Sequence, residues 1–113
     1  MMTYPNDDRT SAWTALGDPT RRAIFERLLE RPQAVQALAS GLPVSRPAVS
    51  QHLKVLSDAG LVVARREGKQ RIYQVDPNGI AALRAELERF WVKTMAAYKT
   101  VVEQTPTEPP KEE

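Results

Sequence analysis

Ser45-Arg46-Pro47-Ala48-Val49-Ser50-Gln51-His52-Leu53-Lys54-Val55-Leu56-Ser57-Asp58-Ala59-Gly60-Leu61-Val62 is the stretch that decides the fold. Ser45 is a good N-cap, Pro47 suits a first helical turn, and Gly60 suits a stop just past the end. At about 100° per residue, Val49, Leu53 and Leu56 share one helical face. Arg46, Pro47, Ser50, Gln51 and Lys54 fall on an adjoining arc with no large apolar side chain. The apolar face needs a core. The other arc is short, hydrogen-bonding and basic, unlike the mixed Glu/Lys face of an ordinary surface helix. DNA is the partner that fits it: hydroxyls and amides reach base edges, and Arg and Lys reach phosphates or guanine. The stretch reads as the recognition helix of a helix-turn-helix, running into the first strand of a wing.

The next residues support that reading. Val62 to Arg66 is apolar turning basic, Glu67 to Gln70 is a turn around a glycine, and Arg71 to Val75 resumes a β-rich run, which together read as a hairpin. Between Val44 and Asp76 the cations Arg46, Lys54, Arg65, Arg66, Lys69 and Arg71 face the anions Asp58, Glu67 and Asp76, a local balance of +3 in a chain of net charge +2. Charge gathered on one helix and one hairpin is the electrostatic footprint of nucleic-acid binding, because neutralised phosphates release counterions. Successive strand residues point to opposite faces, so Arg65, Arg66, Lys69 and Arg71 cannot all reach the same backbone.

Outward from this centre, residues 1–10 form a polar arm and Ser11 to Leu16 a short helix carrying Trp13 and Leu16. Asp18-Pro19 caps and opens the next helix, whose buried stripe is Ala23, Ile24, Phe25, Leu28 and Leu29, and which ends at Glu30-Arg31-Pro32. Val35, Leu38 and Ala39 make a third short helix, stopped by Gly41 and Pro43. Arg21 and Arg22 are placed to pair with Glu26 or to touch phosphate. After the hairpin, Asp76-Pro77-Asn78-Gly79 opens a last helix in which Ile80, Leu83, Leu87, Trp91, Met95, Tyr98 and Val102 recur at steps of three or four, widened by Phe90. One small domain has little core left to cover that stripe. Leu87, Phe90, Trp91, Met95, Tyr98 and Val102, with Trp13 and Leu16, are therefore expected to form a homodimer interface. The expected class is mainly α with a small β-hairpin: a winged helix-turn-helix over 11–80, a dimerisation helix over 81–103 in the same domain, and an unstructured Pro- and Glu-rich tail over 104–113.

Composition sets the outer limits. The 113 residues suit one domain, with 42% hydrophobic and 27% charged residues. No apolar run approaches the ~20 residues of a membrane span. The first residues show no signal-peptide pattern, so a cytoplasmic location is expected. With no cysteine, disulfides, thiolate metal sites and cysteine nucleophiles are excluded. Ser50 and His52 stand two apart on a helix and do not face each other. No phosphate loop, dinucleotide fingerprint, nucleophile elbow or His-x-x-x-His pattern is present, so an enzyme is not expected. His52, the single histidine, is expected at the edge of the helix near the DNA backbone.

Ala15-Leu16-Gly17-Asp18-Pro19-Thr20-Arg21-Arg22, the stretch from Ser45 to Val62 centred on Ser50-Gln51-His52-Leu53, then Arg66-Glu67-Gly68 and Tyr73 resemble the ArsR/SmtB family of bacterial winged-helix regulators. The resemblance runs from about Trp13 to Trp91. It implies a homodimer built on first and last helices that binds imperfect palindromes, usually represses nearby genes and is usually released by an effector. Many members hold a cysteine-containing metal site in the helix before the recognition helix, and others place Asp and His ligands on the last helix. Here Ala34 to Ser40 contains no ligand residue, and the last helix has Glu86, Glu88 and Glu103 but no His. No cofactor is evident and the metal site is unassigned. A weak Ni²⁺ or Zn²⁺ site using His52 and carboxylates stays open.

The expected contacts with double-stranded DNA are Ser45, Arg46, Pro47, Ser50, Gln51, His52, Lys54, Arg65, Arg66, Lys69 and Arg71. Three rival readings remain. One is a metal-responsive regulator or activator using an unusual site or a partner protein. Another is a non-specific architectural DNA-binding protein. The third is a winged-helix protein-interaction module, which has no need of the concentrated basic charge.

Overall fold

The computed structural model describes residues 11–104. The arm expected at 1–10 and the tail from 105 to 113 lie outside the described residues. The elements run α1 (Ala12–Leu16), α2 (Pro19–Glu30), β1 (Gln33–Ala34), α3 (Val35–Ser40), α4 (Arg46–Asp58), β2 (Val62–Glu67), β3 (Gln70–Val75) and α5 (Pro77–Gln104).

Side-chain caps set the helix starts. The Ser11 hydroxyl accepts from the Thr14 N–H at 3.1 Å, Asp18 from Arg21 at 2.9 Å and Ser45 from Ala48 at 3.2 Å. Asp76 accepts from Asn78 at 3.0 Å as α5 begins. Each bond satisfies an amide that the first helical turn leaves open. α3 has no such cap: Ala34, at its N-cap position, is already in the sheet.

Two arginines close the other end of α1. Arg21 Nε donates to the Ala15 carbonyl at 2.8 Å and Arg22 Nε to the Leu16 carbonyl at 3.1 Å. A five-residue helix leaves most of its carbonyls unpaired, and guanidinium donors are a natural cover for them. Gln33 does the same for α2. Its buried amide donates to the carbonyls of Arg27 at 2.9 Å and Arg31 at 3.4 Å.

The sheet is antiparallel, in the order β1-β3-β2. The hairpin is tighter than the sequence suggested: Glu67 pairs with Gln70, leaving Gly68-Lys69 as a two-residue loop. Gly68 alone of the two has positive φ, which is the type II′ arrangement matched to strand twist. β1, which the sequence reading missed, adds Gln33 opposite Tyr73 and Ala34 opposite Ile72.

The core joins Ala15 of α1, Ile24, Phe25 and Leu28 of α2, Leu38 of α3, and Val49, Leu53 and Leu56 of α4, with Leu61 and Val62 at the foot of the wing. Leu29 departs from the expected buried stripe and is 58% exposed. It follows Leu28 by about 100° around α2, which carries it off the buried face. Leu16, Tyr73, Val75, Ile80 and Leu83 pack against the core as half-buried neighbours. Gly79 is fixed by a close approach: a Cβ there would stand 1.8 Å from the Gly60 carbonyl oxygen. Gly60 itself, with φ of 81°, turns the chain from α4 into the wing in a conformation other residues rarely adopt.

The chain divides into two compact units, Met1–Leu83 and Arg84–Glu113. The first holds the helix-turn-helix, the sheet and the opening turns of α5. Within the second, α5 exposes Leu87, Phe90, Trp91, Val92, Met95, Tyr98, Val101 and Val102. Among the described residues no helix is long and apolar enough to cross a membrane.

Candidate nucleic-acid interface

Val49, Leu53 and Leu56 are fully buried and fix the rotation of α4 about its axis. That rotation leaves Ser45, Arg46, Pro47, Ser50, Gln51 and Lys54 exposed. The outward arc therefore carries a guanidinium, an ammonium, a hydroxyl and an amide, with no bulky apolar group to block a groove. Lys54 Nζ lies 3.2 Å from Asp58 Oδ2, and the side chains are 70% and 56% exposed. An exposed pair of this kind contributes ~0.3–0.5 kcal/mol, little enough for a phosphate to displace it.

His52 does not join this surface. It follows Val49 by three residues and precedes Leu56 by four, which places it along the inner side of α4. The ring is half-buried, with Nδ1 3.4 Å from Arg21 Nη1. The backbone N–H of Arg21 bonded to Asp18 holds that carboxyl below its ordinary range, partial burial opposes the shift, and the charges of Arg21 and His52 reinforce it.

The wing splits its four cations. Arg66 and Arg71 are directly opposite on neighbouring strands, so their side chains share a face. Like charges so placed repel, and a bound anion relieves the repulsion. Arg65 is opposite Ile72 on the other face, where it donates to the Gln74 amide oxygen and pairs with Glu67 at 3.4 Å. Lys69 is exposed in the turn. Among the described residues, no ion pair engages Arg46, Arg66, Lys69 or Arg71.

The pattern of a helix-turn-helix domain family matches residues 16–65, from the end of α1 into β2. An HTH-type transcriptional regulator of Mycobacterium tuberculosis is 56% identical over 103 residues, covering 91% of this chain and 94% of that protein. The ArsR-like transcriptional regulator of Rhodococcus sp. RHA1, a solved structure, superposes with a TM-score of 0.68 at 33% identity, over 82% of this chain and 91% of that one. The chain belongs to the ArsR/SmtB family of winged helix-turn-helix transcriptional regulators. The transcriptional repressor SmtB of Mycobacterium tuberculosis is 40% identical over 67 residues, 59% of this chain and 50% of that protein. ArsR/SmtB proteins regulate transcription through DNA and are not enzymes.

The metal-sensing side of the family finds no matching donor set here. Among the described residues, no three of His, Cys, Asp and Glu gather closely enough to hold an ion. α3 carries no ligand residue, and on α5 Glu88 lies 3.8 Å from Arg84 in an ion pair.

Two features of this ArsR/SmtB site escaped the sequence reading. The double use of Arg21, on α1 and on α4, follows from helix packing and has no local signal. The facing of Arg66 and Arg71 was within reach, since it follows from a two-residue loop at Gly68-Lys69.

Proposed function

We propose that the protein is a homodimeric repressor that binds a palindromic operator in the cytoplasm. The observation that carries the reading is the outward arc of Arg46, Ser50, Gln51 and Lys54 on α4, together with a wing that presents Arg66 and Arg71 on one face. Two recognition helices enter successive major grooves about 34 Å apart, and the wings grip the flanking backbone. Gln51 is the candidate base reader, since an amide pairs two-fold with adenine, and Arg46 suits guanine or phosphate. Ser45 and Pro47 bring the helix start close to the backbone. Lys54, released from Asp58, Lys69, Arg66 and Arg71 supply phosphate contacts, and Arg65 joins only by leaving Gln74 and Glu67. The named function of the SmtB relative supports repression. The apolar face of α5, with Trp13 and Leu16, supports the dimer.

Fluorescence anisotropy with the DNA upstream of the protein's own gene, beside a scrambled duplex of equal length, tests the reading. Tight binding to the first and a wide gap to the second is expected. Gln51→Ala should lose about 1–3 kcal/mol on the operator and little on the scrambled duplex. Removing Arg66 and Arg71 together should weaken both duplexes alike and lower the slope of log affinity against log salt by about 2. Equal, weak binding of both duplexes by the parent protein favours an architectural role instead.

A further inference from the structure

We infer that the Arg21–His52 contact is a proton-sensitive latch that positions the recognition helix, so that protonating His52 weakens DNA binding. The inference rests on the DNA-binding reading above and adds a form of regulation to it.

Arg21 is held from three sides. Its backbone N–H donates to Asp18 at 2.9 Å, its Nε donates to the Ala15 carbonyl at 2.8 Å, and its Nη1 reaches His52 Nδ1 at 3.4 Å. One side chain thus ties α1 to α2 and both to α4. The tie to α4 lands between Gln51 and Leu53, beside the candidate base reader.

A guanidinium has donors and no acceptor. The bond therefore requires His52 Nδ1 to be unprotonated, with the proton of the neutral ring on Nε2. In the imidazolium both ring nitrogens are donors. A proton added to Nδ1 then abolishes the bond and sets two cations in contact where one donor and one acceptor had met.

The surroundings offer little compensation. α1, α3 and the opening of α5 from Pro77 to Leu83 contain no charged residue. On α2, Arg22 and Arg27 are turned to the carbonyls of Leu16 and Gly41, and Glu26 is exposed. On α4, Arg46 is exposed and Lys54 and Asp58 hold each other. On β2, Arg65 is occupied by Gln74 and Glu67, and Arg66 faces Arg71. Asp76, ahead of α5, is engaged with the Asn78 N–H. Asp18 is the one anion in electrostatic reach of His52, and it is already bonded to Arg21. It offsets part of the added charge without replacing the lost bond.

The sign of the pH effect separates this role from a direct contact. A histidine that touches DNA phosphate gains affinity as it takes up a proton. A histidine that latches α4 to Arg21 loses affinity over the same range, in which ordinary imidazoles titrate.

The test compares the parent with His52→Asn, whose amide oxygen stands where Nδ1 does but does not titrate. Operator affinity is measured at about pH 8 and about pH 5.5. The fall in affinity on acidification should be about tenfold larger in the parent, the effect of one lost hydrogen bond to a charged group. An equal change in both proteins, or a parent that tightens more in acid, overturns the latch.

A second measurement needs no DNA. His52 is the chain's single histidine, so its ring ¹⁵N signals are unambiguous. The latch requires a neutral ring protonated at Nε2, an Nδ1 signal that moves in Arg21→Met, and α4 amides that exchange faster in the parent than in His52→Asn at low pH. A ring protonated at Nδ1, or α4 exchange that acid alters equally in both, overturns it. Failure of the parent to bind any duplex at either pH defeats the DNA-binding reading alone, and the ring signals still decide the latch.

Discussion

Leu53→Ala is expected to destabilise the helix-turn-helix unit by about 2–5 kcal/mol, the range for deleting a fully buried leucine side chain. Leu53 is fully buried at the middle of α4, in the cluster that joins α2, α3 and the foot of the wing. Domains of this size have roughly 5–15 kcal/mol of total stability, so the loss is a large part of the whole. It also reaches function. Gln51 and Lys54 sit on the same helix, two residues before and one after, and a cavity under Leu53 lets that helix shift. Urea unfolding should show a lower midpoint with an unchanged slope. Leu29→Ala is the matched control. Its side chain is 58% exposed, and the same chemical change there should stay within about 0.5 kcal/mol. Comparable losses at both positions would mean that the core is not centred on α4.

That contrast shows where the sequence was informative. Val49, Leu53 and Leu56 were legible because a helix with one wet side repeats its apolar residues at steps of three and four. The caps at Ser11, Asp18, Ser45 and Asp76 were legible because each uses a short polar side chain before a helical run. Leu29 was misplaced because an apolar run says little about which of two adjacent residues turns inward. β1 was invisible because two residues carry no periodicity, and only pairing with β3 defines them. Gln33 looked like a loop residue, yet it is buried because its amide closes the end of α2.

The candidate site follows the same division. The exposed arc of α4 depends on local helix geometry and could be drawn from the sequence. His52 belongs to the same helix, but its neighbour Arg21 is 31 positions away, a relation fixed only by the packing of α2 on α4. The wing falls between the two cases. Its charge was visible, while its division into an Arg66–Arg71 face and an internally bonded Arg65 depends on register.

The largest functional effect is expected from Trp91→Glu. In its half of α5, Trp91 is 60% exposed within a run of eight exposed apolar residues from Leu87 to Val102. Soluble monomers rarely leave so much contiguous apolar surface in water. Covering one such side chain contributes about 1.5–3 kcal/mol, so a few of them suffice to hold two chains together. In a two-fold interface every residue occurs twice, and one substitution inserts two carboxylates. Burying an unpaired charge costs several kcal/mol, more than the apolar contacts nearby return. The parent should sediment at micromolar concentration at roughly twice the 12.7 kDa chain mass, and Trp91→Glu at the chain mass itself. Operator affinity should fall about 10²–10⁴-fold, because the second half-site is no longer bound as an intramolecular step. The helix-turn-helix unit should keep its unfolding midpoint, since Trp91 contributes nothing to its core. A variant that sediments like the parent and retains operator affinity would place the dimer contact elsewhere on the chain. A parent that sediments as a monomer would remove the need for a palindrome and leave a single recognition helix and wing to bind one half-site.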